Sequence, residues 1–181
     1  MHTLAMATPS FSSLDTARDV LRHLAATLAY RAAKVLRDAP LGFVTMTVAA
    51  SARRPVQIVA HLADLMAWGE SLTRGEYVWK AGGGEDWATE VQRFFDGLAA
   101  LDRQLAAAPP SAESVAQLIQ GPLADALTHV GQLAMLRGQH GAPVRPESYA
   151  RAEIVSGRVG VEQAAPVREF DGDASHPPSR G

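Results

Sequence analysis

The sequence predicts an all-α protein. The expected architecture is a left-handed antiparallel four-helix bundle over 1–145, followed over 146–181 by an extended C-terminal arm and a disordered tail. Three observations lead to this. Apolar residues recur at helical spacing in four separate stretches. Clusters of proline and glycine divide those stretches. Alanine, the strongest helix former, is abundant throughout.

The first helix is expected over 14–38, with Ser13 as its N-cap. Leu14, Ala17, Leu21, Leu24, Leu28, Ala32 and Val35 share one face, and His23 falls on the opposite, solvated one. Pro40 and Gly42 end this helix, and 43–49 reads as an ordered, irregular connector. Pro55 suits the first turn of a second helix over 55–74, which Gly75 stops. Its apolar stripe is Ile58, His61, Leu65, Trp68 and Leu72. Gly82-Gly83-Gly84 is a flexible loop; the Lys and Ser/Thr of a phosphate-binding loop do not follow it. A third helix over 87–107 has the clearest periodicity, in Trp87, Val91, Phe94, Leu98, Leu101 and Leu105. Pro109-Pro110 breaks it, and Ser111 caps a short helical segment reaching Ile119. Gly121-Pro122 restarts the chain into a last helix over 122–138, whose core candidates are Leu123, Ala126, Val130, Leu133 and Leu136. Beyond it, 144–160 has mixed polarity and is expected to pack as an arm, while 170–181 has a disordered composition.

At 181 residues the chain is long enough for one domain with a full core. The formal net charge of -2 and the absence of a dense Lys/Arg cluster argue against nucleic acid as a partner. No stretch approaches the length of a membrane span, so no membrane is expected as a partner. With no cysteine, disulfides, thiolate metal sites and cysteine nucleophiles are excluded together. The first ten residues lack a basic region and a sustained apolar run, so no secretory signal is expected and the cytoplasm is the expected compartment.

Two histidines stand on apolar helix stripes, His61 and His129. Asp125 precedes His129 by four residues and so shares its helix face, as does Gln132. Burying such groups costs free energy unless each finds a partner. Two histidines and a carboxylate suit a divalent ion, with Zn²⁺, Fe²⁺, Ni²⁺ and Mn²⁺ all compatible and positions left open for water or substrate. The plainer reading has core histidines with one hydrogen bond each, and Asp125 favoured in a first helical turn by the helix dipole. Asp64, three residues after His61, is a candidate to orient that ring or simply a solvated carboxylate. Trp68 reads as core. His2, His23, His140 and His176 receive no role.

Several stretches, in order, resemble the DinB/YfiT superfamily of metal-binding four-helix bundles. They are Asp38-Ala39-Pro40-Leu41-Gly42-Phe43, Arg54-Pro55 with His61-Leu62-Ala63-Asp64-Leu65-Met66-Ala67-Trp68, and Val91-Gln92-Arg93-Phe94-Phe95 with Leu98 and Leu101-Asp102. The last is Gly121-Pro122 through His129-Val130-Gly131-Gln132-Leu133, with Leu136-Arg137 and Gly141-Ala142-Pro143-Val144. Together they span most of 14–145. The superfamily usually presents one histidine from its second helix and an His-x-x-x-His pair from its last. His61 and His129 match the first and last of these, and Asp125 stands at the middle position. The resemblance implies a divalent-metal site at His61, Asp125 and His129, with zinc favoured. It also implies a metal-dependent transferase or hydrolase acting on a small-molecule substrate, with a low-molecular-weight thiol or water activated at the metal. In that reading the open side of the site faces the arm, where Tyr149, Arg151, Glu153 and Arg158 offer polar contacts. The alternative is a non-catalytic helical bundle serving as a structural or homodimerisation module, and a homodimer is the expected assembly.

Overall fold

In a computed structural model the described residues are 13–170. His2, His176 and the expected tail beyond Phe170 lie outside them. The described chain is all-helical, and its extended pairing is confined to one isolated bridge between Glu147 and Glu169.

Helix α1 spans Leu14–Leu36 and begins as expected, with Ser13 Oγ accepting the Thr16 amide at 3.0 Å. It stops at Arg37 because Asp38 turns into the left-handed region, φ 51°. Leu21 and Leu28 are fully buried and His23 is exposed, but Leu14 is 41% exposed, since the first turn projects past the core. Part of the expected connector is instead a single helical turn, α2, Leu41–Val44. Phe43 drives it inward: its side chain is fully buried, edge-on to Trp87 at 6.0 Å.

Helix α3, Pro55–Thr73, is buried on more than one face. Val56, Val59, Leu62, Ala63 and Met66 are as inaccessible as Ile58, Leu65 and Leu72 of the expected stripe. A helix packed on several sides has no single stripe to read. Helix α4, Trp87–Ala107, is capped by Asp86, whose Oδ1 accepts the Thr89 amide at 2.8 Å. It buries Phe94, Leu98, Leu101 and Leu105. Helix α5 spans Ala112–Leu118, and a wide turn over Ile119–Leu123 joins it to α6, Ala124–Gln139. The last helix therefore starts slightly later than Pro122. The kink is at Gly121 (φ -95°, ψ -106°), immediately before the proline that cannot accept a continuous helical ladder.

Helices α1 and α3 each pack against both α4 and α6, and one apolar core runs between the four. The arm lies along α1. Glu147, its side chain fully buried, accepts from Tyr30 Oη at 2.7 Å and pairs with Lys34 at 2.8 Å. Tyr149 meets the Tyr30 ring edge-on, with the Arg31 guanidinium 4.3 Å from its centroid. Among the described residues no helix is long and apolar enough to cross a membrane.

Phe94→Ala and Leu98→Ala each remove a fully buried side chain. Each is expected to lower unfolding free energy by about 2–5 kcal/mol in denaturant titrations. Near-neutral values would show that α4 does not face the core as described.

Candidate metal centre

His61 lies in the second turn of α3, Asp125 in the first turn of α6, and His129 one turn further along α6. What brings the two helices into register is the turn before α6. A Cβ on Gly121 would stand 2.8 Å from the Trp68 ring, so no larger residue fits without movement there. On the same helix, a Cβ on Gly69 would stand 3.4 Å from Pro122. The small residues let the Gly121-Pro122 turn sit directly on α3, about two turns beyond His61.

The three expected residues converge. His61 Nε2 is 3.3 Å from Asp125 Oδ2, and His129 Nε2 is 3.4 Å from Asp125 Oδ1. One ligand atom from each of the three lies within 4.8 Å of the others. The two imidazoles meet edge to face, centroids 4.8 Å apart. The cluster sits on the seam between α3 and α6 rather than in the core: the Asp125 side chain is 45% exposed, those of His61 and His129 16% and 11%.

The tautomers decide what this arrangement can do. Nδ1 of His129 is 2.7 Å from Gln132 Oε1, an atom that only accepts, so Nδ1 carries the proton. In the neutral ring Nε2 is then a bare lone pair, and it faces a carboxylate oxygen. Two acceptors face each other unless a positive centre lies between them. A proton would leave a long hydrogen bond, outside the usual range of about 2.7–3.2 Å. Ligands bonded to one tetrahedral ion at about 2.0–2.2 Å stand about 3.3–3.6 Å apart. The two carboxylate contacts, one to each Asp125 oxygen, match that, while the three ligand atoms together spread to 4.8 Å and would draw in around an ion. His61 is suited to the same role. Burial, aided by the nearby charge of Arg53, lowers its pKa from the ordinary 6.5 against the opposing pull of Asp125. Its neutral, metal-binding form therefore predominates at neutral pH.

No family model, curated protein or solved structure matches this chain. The case for the site thus rests on its own geometry.

Asp64 does not orient His61. It is buried, receives Arg93 Nη1 at 2.6 Å and accepts the Gly82 amide at 3.1 Å. Glu90 accepts the Gly84 amide at 2.6 Å and pairs with Arg93. These carboxylates pin the triple-glycine loop, which is therefore held rather than free. The pinned segment carries Trp79 to 5.6 Å from the His61 ring, and Trp79 in turn meets Trp68 at 5.8 Å. Trp68 is partly buried and packs against the core, as expected, while its ring also reaches Trp79 beside the site. The sequence offered no periodic signal for Trp79 or Arg53, because both lie outside helices. Tyr149, expected over the open side, packs on α1, and Arg158 pairs with Glu153 of its own arm at 3.3 Å. The clefts flanking the cluster are lined from the loops around α3 and from α6 instead.

A Cβ on Gly83 would fall 2.4 Å from the Cβ of Ala60. Gly83→Val is expected to lift the loop from α3, lowering stability by about 1–3 kcal/mol. Limited proteolysis should then cut within 75–86 faster than in the wild type. Unchanged cleavage would mean that the loop is not held by this contact.

Proposed function

We propose that this chain is a divalent-metal-binding protein of the DinB/YfiT-like four-helix-bundle type, with His61, Asp125 and His129 as the ligands and zinc as the favoured ion. The observation that carries the reading is the convergence of His61 Nε2 and His129 Nε2 on the Asp125 carboxylate, with Gln132 Oε1 within hydrogen-bond distance of His129 Nδ1. Two imidazoles and one carboxylate form a donor set that suits zinc and also admits Ni²⁺, Fe²⁺ or Mn²⁺. Such an ion, when bound, lowers the pKa of a coordinated water or thiol and makes it a nucleophile at neutral pH.

An enzyme, either a transferase using a thiol or a hydrolase using water, is favoured by the openness of the centre. Three protein ligands leave a position free, as catalytic zinc sites do and closed structural sites do not. Asp125 reaches solvent, and clefts open beside both histidines. Gln132 fixes the His129 ring, and Trp79 covers one side of the His61 ring.

Thermal melts of protein purified without a histidine tag test the reading. Zn²⁺ at about a hundred times its dissociation constant should add about 2.7 kcal/mol of stability. Asp125→Ala and His129→Ala should abolish most of that gain, whereas the exposed His23→Ala should leave it intact. Acidification should weaken binding, because protons compete for both imidazoles. The loss should set in below about pH 6.5, since the neutral form of His61 is favoured down to a pKa lower than that. If neither Zn²⁺, Ni²⁺ nor Mn²⁺ raises the melting temperature, the proposal fails.

A further inference from the structure

Two clefts flank the His61–His129 pair, and Arg53 lines both. The cleft on the His129 side holds about 390 Å³ and is walled by Val48, Ile58, Met135 and Leu136. That volume is in the range of small-molecule sites, about 300–1,000 Å³. Val48 and Met135 are 49% and 59% exposed, so an apolar wall faces solvent beside a polar cluster. Arg53 is exposed and makes no hydrogen bond or ion pair among the described residues. Its neighbours on the same side behave otherwise: Arg54 pairs with Glu85, and Arg93 with Asp64 and Glu90.

We propose that the organic ligand of this centre is an amphipathic carboxylate, with Arg53 receiving the carboxylate and the apolar body lying along Val48, Ile58, Met135 and Leu136. The inference rests on the reading of His61, Asp125 and His129 as the metal centre beside which that ligand binds. A guanidinium presents parallel N–H donors that match a carboxylate in bidentate fashion. Arg53 is the one guanidinium among the residues lining the apolar cleft, so a ligand lying along that wall has a single fork to receive its carboxylate. The apolar wall adds affinity in proportion to the area it covers. The ligand class is therefore set by Arg53 and the cleft, while the ion sets the reaction.

Calorimetric titration of octanoate, octyl phosphate and 1-octanol into the zinc-loaded full chain tests this, with zinc affinity measured separately for each variant by chelator competition. Octanoate should bind, and both octanol and octyl phosphate should bind more weakly. Arg53→Gln should weaken octanoate about tenfold or more in protein that still takes up zinc. Met135→Asp, an exposed substitution that places a negative charge on the apolar wall, should also weaken it. Equal octanoate affinity in wild type and Arg53→Gln overturns the proposal, as does tighter binding of octyl phosphate. So does an absence of octanoate binding up to about 10 mM. If the wild type takes up no zinc, the metal reading fails by itself. Octanoate titrated into the zinc-free protein, with and without Arg53→Gln, then still decides whether Arg53 receives the carboxylate.

Discussion

The approach of the Gly121-Pro122 turn to α3 governs much of this structure. Gly121 lies against the Trp68 ring with no room for a Cβ, and Pro122 lies over Gly69. That contact fixes where α6 begins and which way its first turn faces. A shift of one residue in an α-helix rotates every side chain by about 100°. Asp125 and His129 would then leave the α3 seam, and the cluster with His61 would not exist.

The polar cluster is stabilised by little that is internal to it. Its carboxylate contacts, at 3.3 and 3.4 Å, are long for hydrogen bonds. The surroundings compensate: α3 is buried along most of its length, so His61 is held by a rigid element rather than by its partner. The triple-glycine loop is rigid for a different reason. The buried Asp64 and Glu90 accept its amides and share Arg93, which keeps Trp79 against His61. Removing one member of such a network leaves a buried charge short of a partner, which costs more than the contact itself is worth.

The long helices were legible because their signals are local. Ser13 and Asp86 cap as their residue types suggest, and the stripe of Phe94, Leu98, Leu101 and Leu105 is the core face of α4. The i, i+4 spacing of Asp125 and His129 placed them together without knowledge of the fold. What spacing could not show was depth. His61 sits at the edge of a helix that is otherwise buried, so an apolar neighbourhood suggested a core position that the structure corrects to a half-open seam. The arm was misplaced for a related reason. Glu147 and Tyr149 recognise Tyr30, Arg31 and Lys34 on α1, and pairings across more than a hundred residues leave no mark in local pattern. Arg53 and Trp79 lie in irregular segments, where periodicity says nothing about direction.

Everything functional in this account turns on whether one ion joins α3 to α6. X-ray absorption on the stoichiometrically zinc-loaded chain reads that directly. First-sphere nitrogen and oxygen scatterers are expected at about 2.0–2.2 Å, with the outer-shell signature of two imidazoles falling to one in His129→Ala. A zinc ion surrounded by water oxygens alone, or an imidazole count unchanged by His129→Ala, would contradict this.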